Sequence, residues 1–138
     1  MKIVKDCWED MAAFDCQYGA HLFDGKDAYI YVNSWLGAFG EVEGQFSKRN
    51  GEGFVGHCVL VFKSIKSFDF DIKTYTRIGN SISWGGTISF NYIGDAQDVR
   101  AYELAGSLHG FASSVSISVE AHEFELHILE MDEPARQS

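Results

Sequence analysis

Hydrophobic and polar residues alternate through positions 68–92, FDFDIKTYTRIGNSISWGGTISFNY. Phe68, Phe70, Ile72, Thr74, Thr76 and Ile78 interleave with Asp69, Asp71, Lys73, Tyr75 and Arg77. Beyond Gly79-Asn80 the apolar set resumes as Ile82, Trp84, Ile88, Phe90 and Tyr92. A period of two marks a half-buried strand, so this stretch predicts a β-hairpin. Residues opposite one another in an antiparallel pair share a face. A two-residue loop at Gly79-Asn80 would set Phe70 against Ser89. A three-residue loop, Gly79-Asn80-Ser81, sets Phe68 against Tyr92, Phe70 against Phe90, Ile72 against Ile88, Thr76 against Trp84 and Ile78 against Ile82. The three-residue loop is predicted, because a slip of one residue inverts a whole row. Asp69 then faces Asn91 and Asp71 faces Ser89 on the polar side.

Residues 3–18 show the other period. Val4, Cys7, Trp8, Met11, Phe14 and Tyr18 recur at three- or four-residue steps with acids between them, which predicts one amphipathic helix ending near Gly19. Residues 28–32, AYIYV, predict a strand, as do residues 41–46. Asn50-Gly51 is a turn signal leading into residues 54–62, an apolar run suited to a central strand. Residues 63–67 read as a short connection.

A second hairpin joins residues 100–108 to 111–121 through His109-Gly110, with Leu104 facing Val115 and Tyr102 facing Ile117. The apolar parity then changes to Phe124, Leu126 and Ile128. The change is either a bulge in one long strand or a turn at Ala121-His122-Glu123; a turn into a last strand, 123–129, is adopted. Residues 132–138 read as a tail. The expected fold is a single mainly β (α+β) domain over 1–138. It is an antiparallel β-sandwich or strongly curved sheet of seven or eight strands carrying one N-terminal helix.

Composition narrows the partners. Twenty acidic residues against eleven basic ones give a net charge of −9. Such a balance disfavours nucleic acid, whose phosphates need clustered Lys and Arg, and permits a basic protein partner, while ordinary solubility accounts for it equally. No apolar stretch approaches the ~20 residues of a membrane span. Three cysteines, Cys7, Cys16 and Cys58, make no disulfide framework, and with an acidic N-terminus they point to a reducing cytoplasm.

Candidate chemistry is sparse. Gly51-x-Gly53-x-x-Gly56 matches a dinucleotide fingerprint as a string, but an Asn-Gly turn precedes it and a strand follows, so no helix N-terminus meets a pyrophosphate. His57 and Cys58 are adjacent, and His122 and His127 are five apart, neither of which converges on a metal within one strand. Burial in its apolar run makes Cys58 inert. The serines alternate with apolar residues, as an outer strand face does. No catalytic residue, metal ligand or cofactor is assigned. The candidate binding residues are Asp69, Asp71 and Asn91, Glu123 and Glu125 on one face of the last strand, and the outward aromatics Tyr29, Tyr31 and Trp35.

The segment VRAYELAGSLHGFASSVSISVEAHEFELHI (99–128), with CVLVFKSIKSFDFDI (58–72), resembles the small acidic immunity-type proteins of bacterial polymorphic toxin systems, and equally orphan proteins of mobile gene cassettes. The likeness rests on strand pattern, and no functional residue carries over. It implies a non-enzymatic binding protein with an acidic β-surface. The alternatives are a small-molecule-binding or catalytic domain with an aromatic-lined pocket around Trp35 and Trp84, and a self-associating protein that forms a homodimer through an unpaired sheet edge or the Tyr29/Tyr31 face.

Overall fold

In the computed structural model, which describes residues 1–134, the alternation over 68–92 forms a hairpin at the end of a much longer strand. The elements in chain order are β1 (Lys2–Lys5), a 3₁₀ turn (Trp8–Asp10), β2 (Met11–Ala12), β3 (Cys16–Phe23), β4 (Ala28–Ser34), β5 (Leu36–Ala38), α1 (Gly40–Glu43), β6 (Lys48–Arg49), β7 (Phe54–Gly56), β8 (Cys58–Ile78), β9 (Ser81–Ile93), β10 (Arg100–Leu108) and β11 (Ser113–Ile128). Of the expected tail, residues 135–138 lie outside the described residues.

The mainly β class holds, and the sheet curves until it closes. β11 pairs with β10, β10 with β3, β3 with β4, β4 with β8, and β8 with β11. Five strands thus form a ring of hydrogen bonds, antiparallel except at β10–β3. β1 is added to the C-terminal half of β11, and β9 to the C-terminal half of β8. A small second sheet, in the order β2-β5-β7-β6, contributes Leu36, Ala38 and Val55 to the same core. Tyr18, Ile30, Leu60, Phe62, Phe68, Phe70, Ile117 and Leu126 are fully buried within it.

A ring this small needs sharply bent strands. β8 buries Cys58, Leu60 and Phe62, then Ile65, then Phe68, Phe70 and Ile72. The parity changes twice, at Ser64, which has φ +59, and at Lys66, an extra residue relative to β11. The buried Asp27 carboxylate holds this corner: it accepts the Ser64 N–H at 2.8 Å and lies 3.0 Å from Lys63 Nζ. The predicted connection over 63–67 is therefore this bend, and residues 58–78 are one strand. The predicted strand 54–62 is divided at His57, whose φ of +57 sends β7 into the small sheet.

The N-terminal helix expected over 3–18 does not form. The segment gives β1, the 3₁₀ turn, β2 and the start of β3. Its three- and four-residue spacing is real, but β3 alone joins β10 to β4, and a helix would leave those edges unpaired. The strand predicted over 41–46 is replaced by α1 and a loop, and β6 pairs with β7 across the Asn50-Gly51 turn.

Near the core, the first hairpin has the expected partners Phe68–Tyr92, Phe70–Phe90 and Ile72–Ile88. Its loop does not. Beyond Lys73–Thr87 the register shifts, Tyr75 faces Trp84, and Ile78 faces Ser81 across a two-residue loop. Gly85-Gly86 supplies the extra residue of a bulge, which restores the core register without a longer loop. In the second hairpin Tyr102 faces Val119 and Leu104 faces Ile117, two residues from the expected register. A slide of two keeps every side chain on its face. It opens a four-residue loop, 109–112, held by Leu108 N–H donating to Ser113 Oγ at 2.9 Å. The predicted strands 111–121 and 123–129 are one strand. The turn adopted at 121–123 is instead a bend, with Ala121 and Phe124 both buried and paired to Ile65 and Phe62.

Candidate functional site

The bend of β11 and the chain entering from β1 border a cleft. Asp6 takes φ +55 and its N–H meets the Phe124 carbonyl at 3.4 Å, which turns the chain away from β11. The 3₁₀ turn then seats Trp8 edge-on against Tyr102 and Phe124, with ring centroids at 5.0 and 5.1 Å, and Phe62 lies beneath. The opposite wall is Asp98, Arg100 and Ala101 at the start of β10. There His122 donates from Nδ1 to the Asp98 carbonyl at 3.2 Å. Glu9 and Glu123 complete the rim of a cleft of about 570 Å³.

Two features give the cleft chemical character. The carboxylates of Asp6, Glu9, Asp98 and Glu123 face one guanidinium, Arg100, so the mouth is acidic. Its floor is aromatic, and Tyr102 there is 5% exposed while its hydroxyl makes no hydrogen bond among the described residues. Burial pushes the Tyr102 phenol up, Arg100 opposes this, and Asp6, Glu123 and Glu9 add to it. The phenol therefore lies among the cleft's carboxylates with its hydroxyl reached by solvent and open to a ligand.

The residues predicted from the sequence are dispersed. Asp69 lies between Asn91 and Ser118, and Asp71 between Ser89 and Ser116, on the outer sheet face. That face also carries Glu103, which accepts from Ser118 Oγ at 2.7 Å, and Glu120, which accepts from Ser67 Oγ at 2.8 Å. Glu123 lines the cleft. Glu125 is two residues along and is engaged by His127 Nε2 at 3.1 Å. Tyr29 and Tyr31 face outward, as expected, with Ile30 and Val32 in the core. Tyr29 donates to Asp24 Oδ2 at 3.2 Å. Tyr31 donates to His57 Nδ1 at 2.8 Å, and His57 Nε2 donates to the Glu133 carbonyl at 2.9 Å. Trp35 packs on Phe54 at 5.1 Å, and Trp84 on Tyr75 at 3.9 Å, so neither lines the cleft.

The thiols are buried and free. Burial pushes Cys7 up to about 11, Cys16 up to about 12 and Cys58 well above the ordinary thiol range, which makes all three poor nucleophiles. Among the described residues no three His, Cys, Asp or Glu side chains gather as metal ligands, and no helix is long and apolar enough to cross a membrane.

Sequence reasoning missed Asp6, Trp8, Glu9, Asp98, Arg100, Tyr102 and His122. One signal was present: acids flank Trp8 in DCWED, where a helical reading made them solvent-facing spacers. No family model, curated protein or solved structure matches the chain.

Proposed function

We propose that this is a non-enzymatic binding protein whose acidic cleft receives a cationic group of a basic protein partner. The observation that carries the reading is the lining of the cleft, where the carboxylates of Asp6, Glu9, Asp98 and Glu123 gather with the single guanidinium of Arg100 over an aromatic floor of Trp8, Tyr102 and Phe124. A lysine or arginine head in the cleft meets carboxylates at the rim and ring faces below, each cation–π contact contributing ~0.5–2 kcal/mol. Tyr102 supplies a hydroxyl that a charged donor uses as acceptor. The outer-face acids, Asp69 and Asp71 with Glu103 and Glu120, extend the negative field and steer such a partner inward. Immunity to a basic toxin is one specific form of this function. It rests on acidity and strand pattern.

A second reading is favoured by the cleft's volume of about 570 Å³, within the range of small-ligand sites. A free polyamine has the same chemistry as a row of lysines.

The test is titration of a short Arg/Lys peptide and, separately, spermine, followed by calorimetry and amide NMR shifts. The peptide should bind with shifts centred on 6–9, 98–102 and 122–124. The double variant Asp6→Asn/Glu123→Gln should weaken it at least ~tenfold, or ~1.4 kcal/mol. Asp69→Asn/Asp71→Asn should slow association and lower its salt dependence without moving the shifts. Peptide shifts centred elsewhere, or an unchanged affinity in the cleft variant, remove the cleft reading. Spermine binding far tighter than the peptide favours the small-molecule reading.

A further inference from the structure

β9 is an edge strand of a kind that folded proteins normally protect. It pairs with β8 on one side and, among the described residues, with no strand on the other. Exposed edges are ordinarily blunted by shortness, by lysine or proline, or by a covering segment. The opposite edge shows those devices: β1 has four residues, with lysine at both ends. β9 has thirteen residues, SISWGGTISFNYI, without a charge or a proline.

Its large side chains are also left in water. Ile82 is 72% exposed, Trp84 52%, Ile88 53% and Ile93 83%. Phe90 and Tyr75 beside them are also exposed, at 37% and 40%, so both faces of the strand present apolar side chains to water. Apolar side chains left in water along an open strand edge mark an association site. Ile88 and Phe90 lie on the inner face, in the same rows as Ile72 and Phe70. Trp84 and Ile82 lie on the outer face, where the Gly85-Gly86 bulge has turned them.

We infer that β9 is the self-association edge of the protein, pairing antiparallel with β9 of a second copy about a twofold axis. Charge selects that occupant. Two molecules of net charge −9 repel over most of their surfaces, and this strand carries no charge to oppose its own image. The acids paired across from it, Asp69 and Asp71, are one strand back on β8, and Asp95 lies just beyond its end. Across the joined sheet Asp69 and Asp71 are three strand spacings from their counterparts, about 14 Å, beyond the ~8 Å screening length at physiological salt. A twofold axis normal to the sheet keeps like faces together, so Ile88 and Phe90 of one copy meet the same residues of the other. This interface is independent of the acidic cleft.

Sedimentation velocity over a concentration series tests it. The unsubstituted chain should show a reversible monomer–dimer equilibrium with no larger species. Ile82→Lys and Ile88→Lys place charges at positions exposed in the monomer, so far-UV circular dichroism should be unchanged while each weakens dimerisation at least ~tenfold. Asp6→Asn/Glu123→Gln should leave it unaltered. A chain that stays monomeric up to its solubility limit overturns the inference, whatever foreign strand the edge accepts. So does an open ladder of oligomers, or a dimer that tolerates both lysines.

Discussion

His21 shows how far one residue's surroundings can depart from its place in the sequence. Its ring stacks on Phe70 at 4.5 Å, touches Phe68 and Phe90 edge-on, and lies 3.0 Å from the Tyr92 hydroxyl through Nε2. Burial lowers its pKa from the ordinary 6.5. In this window the unfolded chain binds a proton that the folded one does not, so stability rises with pH. Acidification from about pH 7.5 should therefore begin to cost stability near 6.5, and the loss should level off below the folded pKa. Urea midpoints across that range should show this for the native chain. His21→Phe, which fills the same aromatic box, should show a flatter profile, and an equal slope in both would exclude His21 as its source. The box itself was not legible. Alternation placed Phe68, Phe70 and Phe90 correctly on one face, but nothing in it indicates which strand supplies the fifth ring. Cys58 was legible, because an apolar run alone implies burial.

At the level of elements, the unread features are the bends. The parity change from Ala121 to Phe124 is visible in the letters, yet a bulge needs no glycine or proline, so bend and turn look alike until a partner strand is known. The same holds for residues 63–67 of β8. The 3.6-residue pattern over 3–18 misled for a different reason. Local spacing contributes little beside the pairing of two otherwise open strand edges. Closure itself depends on Gly106, where β10 meets β3. A β-carbon there would lie 2.1 Å from the Cys16 carbonyl oxygen, and φ is +151°. Gly106→Ala should therefore destabilise the fold by more than ~3 kcal/mol, since the clash is with backbone that cannot yield. Chemical denaturation will show it. A near-native midpoint would mean the parallel contact is dispensable.

For the whole molecule, charge is the dominant unbalanced quantity. Twenty acids face eleven bases, and the described ion pairs are few: Lys63–Asp27, Arg49–Glu43, the N-terminus with Glu133, and His127–Glu125. Self-repulsion should then outweigh ion pairing. Raising sodium chloride from ~0.01 M to ~1 M shortens the screening length from ~30 to ~3 Å and should raise the melting temperature by about 3 °C or more. A melting temperature that falls with salt would show that ion pairs dominate instead. Acidity was legible at once, while the cleft was not. Its walls come from 6–9, 98–102 and 122–124, segments that only ring closure brings together. Glu123 was chosen for sharing a face with Glu125, and it does, but β1 runs alongside Glu125 and stops at Lys5, which leaves Glu123 on the cleft.

The closed ring also bears on how the chain is made. The Tyr18 hydroxyl bridges to the Ala105 carbonyl across 87 residues of sequence, and β11, the last strand, is the partner of β1, β8 and β10. On a ribosome adding ~5–20 residues per second, β3, β4, β8 and β9 emerge as an open meander several seconds before anything can shut it. During that interval β8 has a second bare edge, on the side that β11 later occupies, and the apolar residues destined for the core lie uncovered. The nascent protein is thus most vulnerable to cross-pairing with its neighbours just before its final strand appears, and a chaperone that shields strand edges would act on it then.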